Sequence, residues 1–134
     1  EGTVEIFPKY SDGLKDLKGF SHIILLYNFH KIKGTKLRVF PYMDKDFRGI
    51  FATRAPVRPN QIGISITKLI SIEKNILSIQ GIDILNDTPL LDIKPYVPKF
   101  DDVNLRKEKI KIGWLSDKIH KLYSTTDDSR FEMD

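Results

Sequence analysis

Cysteine is absent from the 134 residues of this chain, so it has no disulfide, no thiolate metal site and no thiol nucleophile. The absence fits a reducing compartment, and we expect a cytoplasmic protein. Long apolar runs are also missing, because the longest, Ile23 to Tyr27, is far shorter than the roughly 20 residues of a membrane-spanning helix. No signal peptide is visible, and we expect no membrane association. The chain begins at Glu1 without a methionine, so we expect a further N-terminal segment before it.

Glycine and histidine lack the spacings of two common kinds of cofactor site. None of the eight glycines forms a Gly-x-Gly pair, so the dinucleotide fingerprint and the phosphate loop are both missing. The three histidines, His22, His30 and His120, show no metal-ligand spacing. The sequence therefore predicts neither a Rossmann-type cofactor site nor a metal site.

The composition is that of a soluble chain with a real core and an uneven charge. Hydrophobic residues make up 40% and charged residues 30% of the chain, and the net charge is +4. Residues 31–58 contain eight basic and two acidic residues, with Phe40, Tyr42, Phe47 and Phe51 between them. Basic charge mixed with aromatic rings is typical of nucleic-acid binding, although a solvated surface over core aromatics gives the same pattern.

Most of the periodic signal is typical of β-strands. His22 to Phe29 is apolar and rich in β-formers, which predicts a buried strand. From residue 62 to 73, isoleucines at even positions alternate with mostly polar residues, which predicts a half-buried strand. Lys68 and Leu69 break the alternation, which indicates either a bulge or a change of faces there. A turn at 73–75 joins it to Ile76–Gln80 in a hairpin. Shorter strands are expected at 4–7, 49–53, 82–85 and 90–93.

Helical signals are few and short. Ser11 is a candidate N-cap for a helical turn that Gly19 ends, and apolar residues from 113 to 124 have helical spacing. Many short strands with glycine and proline turns favour a mainly β fold, specifically a small closed or nearly closed β-barrel. We expect a single domain over residues 1–134. Its barrel core covers 1–100, and an extension at 101–134 carries the helix.

Two polar stretches between strands hold the candidate functional residues. The first, FATRAPVRPNQIG at residues 51–63, combines two arginines with an asparagine and two prolines. Because proline fixes φ, such a loop is rigid and suits the binding of a charged ligand. The second, residues 81–98, offers carboxylates, Lys94 and Tyr96 at expected strand ends. Ordinary turns and surface salt bridges explain both stretches equally well.

The same stretches resemble the signatures of a family of tRNA methyltransferases. These enzymes methylate N6 of threonylcarbamoyladenosine at tRNA position 37, beside the anticodon. Residues 51–63 are similar to the first signature and residues 83–98 to the second, and residues 6–23 with Phe29 and His30 are also similar. The resemblance covers about residues 4–101. Gln61 stands where family members usually have proline, and Ala55 where they often have serine.

The resemblance implies a small β-barrel that forms a homodimer, binds S-adenosylmethionine and acts on the tRNA anticodon loop without a metal. It assigns cofactor contacts to residues of both stretches, to the residue that follows the first stretch and to the end of the first long strand. These are Phe29, His30, Arg54, Ile64, Ile82, Asp83, Ile84 and Leu85. Arg58, Lys94 and Tyr96 are candidates for contact with tRNA, although a rigid proline-flanked turn also explains Lys94 and Tyr96. Asn60, Asp83 and Asp92 are candidates for the catalytic step, in which N6 must lose a proton.

Two other functions remain open at this stage. One is a barrel that binds RNA or a metabolite without turnover, and the other is a purely structural dimer. Binding of S-adenosylmethionine excludes the structural role, and methyl transfer excludes the binding-only role.

Overall fold

In the computed structural model of the protein, the described residues are 1–42, 44–81, 84 and 86–117. They fall into two compact units. The first unit consists of Glu1–Asn28 and Gly63–Asp101, and the second of Phe29–Ile62 together with the described residues from 102 onward. Each unit therefore joins two stretches that are distant in sequence, and the single domain stays a prediction.

Strands dominate the described part of the chain. Its seven strands are β1 (Gly2–Glu5), β2 (His22–Asn28), β3 (Arg38–Val39), β4 (Arg48–Gly49), β5 (Ile62–Glu73), β6 (Ile76–Gln80) and β7 (Leu90–Pro95). Five of them form one sheet in the order β1-β6-β5-β2-β7, and β3 pairs with β4. The predicted mainly β class is confirmed. Closure into a barrel is not confirmed, since β1 and β7 are the edges of this sheet over the described ranges.

The helices of the described residues are short. One α-helix, α1, covers Pro98–Asp101. The others are 3₁₀ helices at Pro8–Leu14, Leu17–Gly19, Ile50–Ala52, Val103–Arg106 and Gly113–Asp117. None of the described helices is long and apolar enough to cross a bilayer.

Three local predictions are corrected by these elements. The strand expected at 49–53 is wrong, because β4 ends at Gly49 and a 3₁₀ turn follows. Ser11 is not an N-cap: Phe7 has that position, and the Ser11 hydroxyl donates to the Pro8 carbonyl over 2.8 Å. The helix expected at 113–124 is a 3₁₀ turn as far as Asp117, and its remainder lies outside the described residues.

The hairpin and the long strands follow the sequence prediction closely. β5 and β6 pair in antiparallel fashion up to Glu73 and Ile76, and the register shifts between Leu69 and Ser71, where the bulge was expected. β2 pairs with β7 in antiparallel fashion, with Ile24 opposite Lys94 and Leu26 opposite Asp92. One face of the sheet carries the core of the first unit. Its buried side chains include Ile23, Leu25, Leu69, Leu77 and Ile79.

Ile64, Ile66 and Ile70 of β5 lie on the other face. Ile64, Ile66 and Ile70 are 45%, 51% and 46% exposed, whereas Thr67 and Leu69 between them are buried. The predicted period of two is thus confirmed, but the polar positions of the pattern point to the core. The Tyr27 hydroxyl shares a 2.8 Å hydrogen bond with Ser65, which gives one of these inward polar groups a partner.

The second unit has a small core of its own. Val39, Ile50, Ala55 and Val57 are buried together, and Ile32 packs against them. This cluster joins the β3–β4 pair to the loop that begins at Thr53. The core therefore fixes the base of the first signature stretch.

Candidate functional site

The loop from Thr53 to Arg58 is held by a dense set of hydrogen bonds. The Thr53 hydroxyl donates to the Ile50 carbonyl over 2.9 Å and accepts from the Ala55 N–H over 3.2 Å. Arg58 Nη1 donates to the carbonyls of Thr53 and Ala55, each over 2.9 Å. Residues 55–57 are buried beneath this turn. The side chains of Thr53 and Arg58 therefore fix the shape of the loop by hydrogen bonds. This agrees with the rigid loop that the prolines at 56 and 59 predict.

Arg54 is the residue that this loop presents to solvent. Its neighbours Thr53 and Ala55 are both tied down, while the Arg54 side chain is exposed. A guanidinium on a fixed backbone suits a carboxylate or phosphate, because it donates two parallel hydrogen bonds. Asn60 is also exposed, and its carbonyl accepts from the Ile62 N–H over 2.8 Å.

Phe29 and His30 lie in the same unit as this loop. The Phe29 N–H donates to the Gln61 carbonyl over 2.9 Å, so the end of the signature stretch contacts the residue that follows β2. Phe29 is half-buried and His30 is exposed in the turn after it. The Gln61 side chain donates to the Gly34 carbonyl over 2.7 Å, a contact that proline at this position could not make. Gln61, which stands where the family usually has proline, thus gives this stretch one more hydrogen bond.

Arg58 has a structural position. It is half-buried, and Nη1 bridges two loop carbonyls, as described above. The structure therefore explains how Arg58 stabilises the loop. Contact of Arg58 with tRNA stays a prediction.

A cluster that the sequence analysis missed contacts the residue just before the loop. Arg48 of β4 lies over the Trp114 ring, with 5.3 Å from the guanidinium carbon to the ring centroid. The Trp114 indole N–H donates to the Ala52 carbonyl over 2.8 Å. Arg48 also donates from Nε to Asp44 Oδ2 over 2.8 Å. The only tryptophan of the chain therefore connects the stretch after 102 to the residue that precedes Thr53.

The Asp44 carboxylate has an altered acidity. The hydrogen bond from Arg48 holds the pKa of Asp44 below its ordinary value, and the N–H groups of Lys45 and Asp46 act in the same direction against the effect of burial. The sequence offered two signals of this cluster. Asp44 and Arg48 carry opposite charges four residues apart, and Trp114 is the only tryptophan of the chain.

Replacing Trp114 with phenylalanine tests the link between the late stretch and the loop. Phenylalanine keeps an aromatic face for Arg48 but has no N–H for the Ala52 carbonyl, so we expect a loss of about 1 kcal/mol in unfolding free energy. Chemical denaturation measures it. Trp114→Leu removes both interactions and should lose more. Equal stability of the wild type and both variants would contradict the link.

The candidates in the first unit lie mainly on β7 and after it. Asp92 and Lys94 are two residues apart on one face of β7, and Lys94 Nζ is 2.9 Å from Asp92 Oδ2. This hydrogen bond, with a further one from the Ile93 N–H, lowers the pKa of Asp92, which makes it a weaker proton acceptor. Tyr96 is half-buried with its ring edge-on to His22, at 6.5 Å between centroids.

The remaining candidates are placed only in part. Ile64 is on the exposed face of β5, and Ile84 is half-buried outside any strand. Ile82, Asp83 and Leu85 lie outside the described residues, as does the strand expected at 82–85 apart from Ile84. Within the ranges that the structure describes, no group of three His, Asp or Glu residues is arranged to hold a metal ion. The roles of all these residues stay predictions.

Comparison with known proteins gives the family. The family described as "tRNA-methyltransferase O N-terminal domain" matches residues 1–102. A probable S-adenosyl-L-methionine-binding protein of Pyrococcus abyssi is 56% identical over 131 residues, which cover 98% of this chain and 69% of that protein. The tRNA (adenine(37)-N6)-methyltransferase of Homo sapiens is 39% identical over 99 residues, or 72% of this chain and 22% of the human protein.

A solved structure agrees with the sequence match. The crystal structure of TrmO from Pseudomonas aeruginosa superposes with a TM-score of 0.67 at 38% identity, over 84% of this chain and 47% of that one. The chain thus spans about half the length of the solved structure that it matches. The family match covers both signature stretches, including the loop that exposes Arg54. The chain belongs to the tRNA-methyltransferase O N-terminal domain family.

Proposed function

We propose that this protein is an S-adenosylmethionine-dependent methyltransferase that methylates N6 of threonylcarbamoyladenosine at tRNA position 37. The observation that carries the proposal is the fixed loop of the first signature, which exposes Arg54 in a chain whose family match runs from residue 1 to 102. Support for the substrate comes from the human relative, which is named for adenine 37.

The donor set of the described residues fits the cofactor. S-adenosylmethionine has a carboxylate that needs a cation, and the exposed Arg54 guanidinium supplies one. Phe29 and His30 are further candidates for cofactor contact in the same unit, where the Phe29 N–H donates to the Gln61 carbonyl at the end of the first signature. For Ile64 and Ile84, which belong to the first unit, contact with the cofactor stays a prediction from the resemblance. When bound, the cofactor supplies an electrophilic methyl group on a sulfonium centre.

The residues of the chain have to orient the acceptor and remove its proton. Methyl transfer needs the N6 lone pair in line with the methyl carbon, and positioning alone supplies much of such a rate. Asn60, which is exposed two residues after the fixed loop, is the candidate for orienting the acceptor. Asp92 is a candidate proton acceptor, although Lys94 keeps its pKa low, and Asp83 is the other. Closure of the sheet into the small barrel of the family and a cytoplasmic location belong to the same proposal.

The direct test is methylation of tRNA by the full-length protein. It is incubated with isotope-labelled S-adenosylmethionine and two tRNAs, one with threonylcarbamoyladenosine at position 37 and one with plain adenosine there. We expect label in the first tRNA only, and nucleoside mass spectrometry locates it. Label in neither tRNA would contradict the proposal, and label in plain adenosine would contradict the substrate.

Binding without turnover is the second candidate function. It is favoured by the name of the Pyrococcus abyssi relative, which mentions binding of S-adenosyl-L-methionine and no reaction. Tight binding of the cofactor by a protein that labels neither tRNA would select this function.

The exposed isoleucines of β5 support the proposed homodimer. Ile64, Ile66 and Ile70 share the sheet face that is opposite the core. Asp92 and Lys94 of the edge strand β7 form an ion pair on the same face, where they lie opposite residues of β2. An apolar centre with a charged rim is the usual composition of a protein interface. We therefore assign this face to a second copy of the chain.

Charged substitutions on this face test the dimer. Ile64→Lys with Ile66→Lys should convert a dimer to a monomer, because two lysines would be buried without partners. Sedimentation equilibrium measures the mass. Leu91→Lys on β7, also an exposed apolar position, is the control and should keep the wild-type mass. A monomeric wild type, or a double variant that remains dimeric, would contradict the assignment.

A further inference from the structure

The β3–β4 pair places two phenylalanines side by side in solvent. Its register sets Arg38 opposite Gly49 and Val39 opposite Arg48. Continuing this register by one step brings Phe40 opposite Phe47. Their rings are perpendicular, with centroids 5.1 Å apart. Phe40 is 49% exposed and Phe47 is 67% exposed.

Strand alternation decides what shares this face. Val39 is buried in the core of the second unit, so its neighbours Arg38 and Phe40 point the other way. Arg38 is exposed, and the residue opposite it is Gly49, which has no side chain to cover it. The outer face of the pair therefore presents one guanidinium beside two aromatic rings. We name Arg38, Phe40 and Phe47 the hairpin face.

The charge around the hairpin face is positive. The two acidic residues of the segment 31–58 are Asp44 and Asp46, and Arg48 contacts both, at 2.8 Å and 3.5 Å. Lys31, Lys33 and Lys45 of the same segment are exposed. Exposed rings in a field of positive charge match a polyanion that carries flat, apolar groups, which describes single-stranded nucleic acid.

We infer that the hairpin face binds unpaired bases of an RNA loop, with Phe40 and Phe47 stacking on the bases and Arg38 contacting the phosphate backbone. The edge-to-face pair holds both rings in place before binding, so little side-chain entropy is lost when a base stacks. The inference rests on the proposed function for its RNA substrate. It adds a surface outside both signature stretches.

The test separates stacking from mere apolar contact. The probe is an adenine-rich single-stranded RNA of about 12 nucleotides, within the usual range of site sizes, and a duplex of the same length is the comparison. Phe40→Leu with Phe47→Leu keeps the apolar volume but loses the rings, so its affinity for the single strand should fall about tenfold or more. Phe40→Tyr with Phe47→Tyr keeps the rings and should bind like the wild type. Fluorescence anisotropy measures both.

Two further variants complete the design. Arg38→Gln should flatten the dependence of log affinity on log salt by about 0.7, the effect of one phosphate contact on a single strand. Phe7→Leu removes an equally exposed phenylalanine from the first unit and should leave RNA binding unchanged.

Three results would overturn the inference. The first is a leucine double variant that binds the single strand as tightly as the wild type. The second is a tyrosine double variant that loses as much affinity as the leucine one, and the third is a change of oligomeric mass in the leucine variant, which would make the face a protein contact. Failure of the proposed function would give a different result. The wild-type protein would then bind the single strand through these rings but transfer no methyl group to tRNA.

Discussion

Arg54→Ala should lower the affinity for S-adenosylmethionine by about tenfold or more, the usual cost of removing a hydrogen bond to a charged group. Arg54 is exposed on a loop whose backbone is fixed by Thr53 and Arg58. Its loss should therefore remove the guanidinium while the hydrogen bonds of Thr53 and Arg58 keep the loop backbone in place. Isothermal titration of the full-length protein measures the affinity, and the methylation of tRNA should fall with it.

Arg58→Ala is the matched control for this substitution. Both arginines belong to one signature, but Arg58 donates hydrogen bonds from Nη1 to the carbonyls of Thr53 and Ala55. We expect Arg58→Ala to lower the unfolding free energy by about 1 to 2 kcal/mol, since two carbonyls lose a charged donor. Arg54→Ala should lower it by less than Arg58→Ala does, because the hydrogen bonds of Thr53 and Arg58 that fix the loop remain.

Arg54→Lys refines the interpretation. Lysine keeps the charge but cannot donate two parallel hydrogen bonds, so an intermediate affinity would indicate a bidentate contact with a carboxylate. Wild-type affinity in a stable Arg54→Ala variant would remove Arg54 from the cofactor site. It would leave the family membership untouched, because that rests on the whole of residues 1–102.

Strand positions were predictable where the pattern was long. β2, the β5–β6 hairpin and β7 follow directly from runs of β-formers and a polar turn, and the bulge near Leu69 was visible as a break in the alternation. A period of two shows that a strand has two unlike faces. It does not show which face meets the core, and Ile64 and Ile66 are exposed because Thr67 and Leu69 take the inward positions.

Short elements and long-range contacts were not predictable in the same way. Residues 49–53 have the composition of a strand, but the Thr53 hydroxyl bonds back to the Ile50 carbonyl and closes a 3₁₀ turn instead. Trp114 is 62 residues from Ala52 in sequence, so no local pattern indicates their hydrogen bond. The signature residues themselves were found through resemblance, and their roles await the experiments above.

Asp44→Asn should destabilise the protein at neutral pH by about 2 kcal/mol, because a hydrogen bond to a charged group is lost. The Asp44 side chain is only 1% exposed, and its Oδ2 accepts from Arg48 Nε. Asparagine can still accept from the Lys45 N–H through its oxygen. Its amide N–H groups then face the Arg48 donor, so that contact is lost, and Arg48 is held less firmly over the Trp114 ring.

The effect of this substitution should depend on pH in one direction. The Arg48 hydrogen bond lowers the pKa of Asp44 in the folded state, so the folded protein binds this proton more weakly than the unfolded chain does. The carboxylate therefore contributes its full stability above the ordinary pKa of aspartate, near 3.9, and loses it as the pH falls through the lower folded value. Urea denaturation from neutral to acid pH should show the wild type and Asp44→Asn converging below about pH 4. Asp46→Asn, on the same loop and 73% exposed, is the control and should stay within about 0.5 kcal/mol of the wild type at every pH. A gap between wild type and Asp44→Asn that persists unchanged into acid would show that the carboxylate charge is not what stabilises this hairpin.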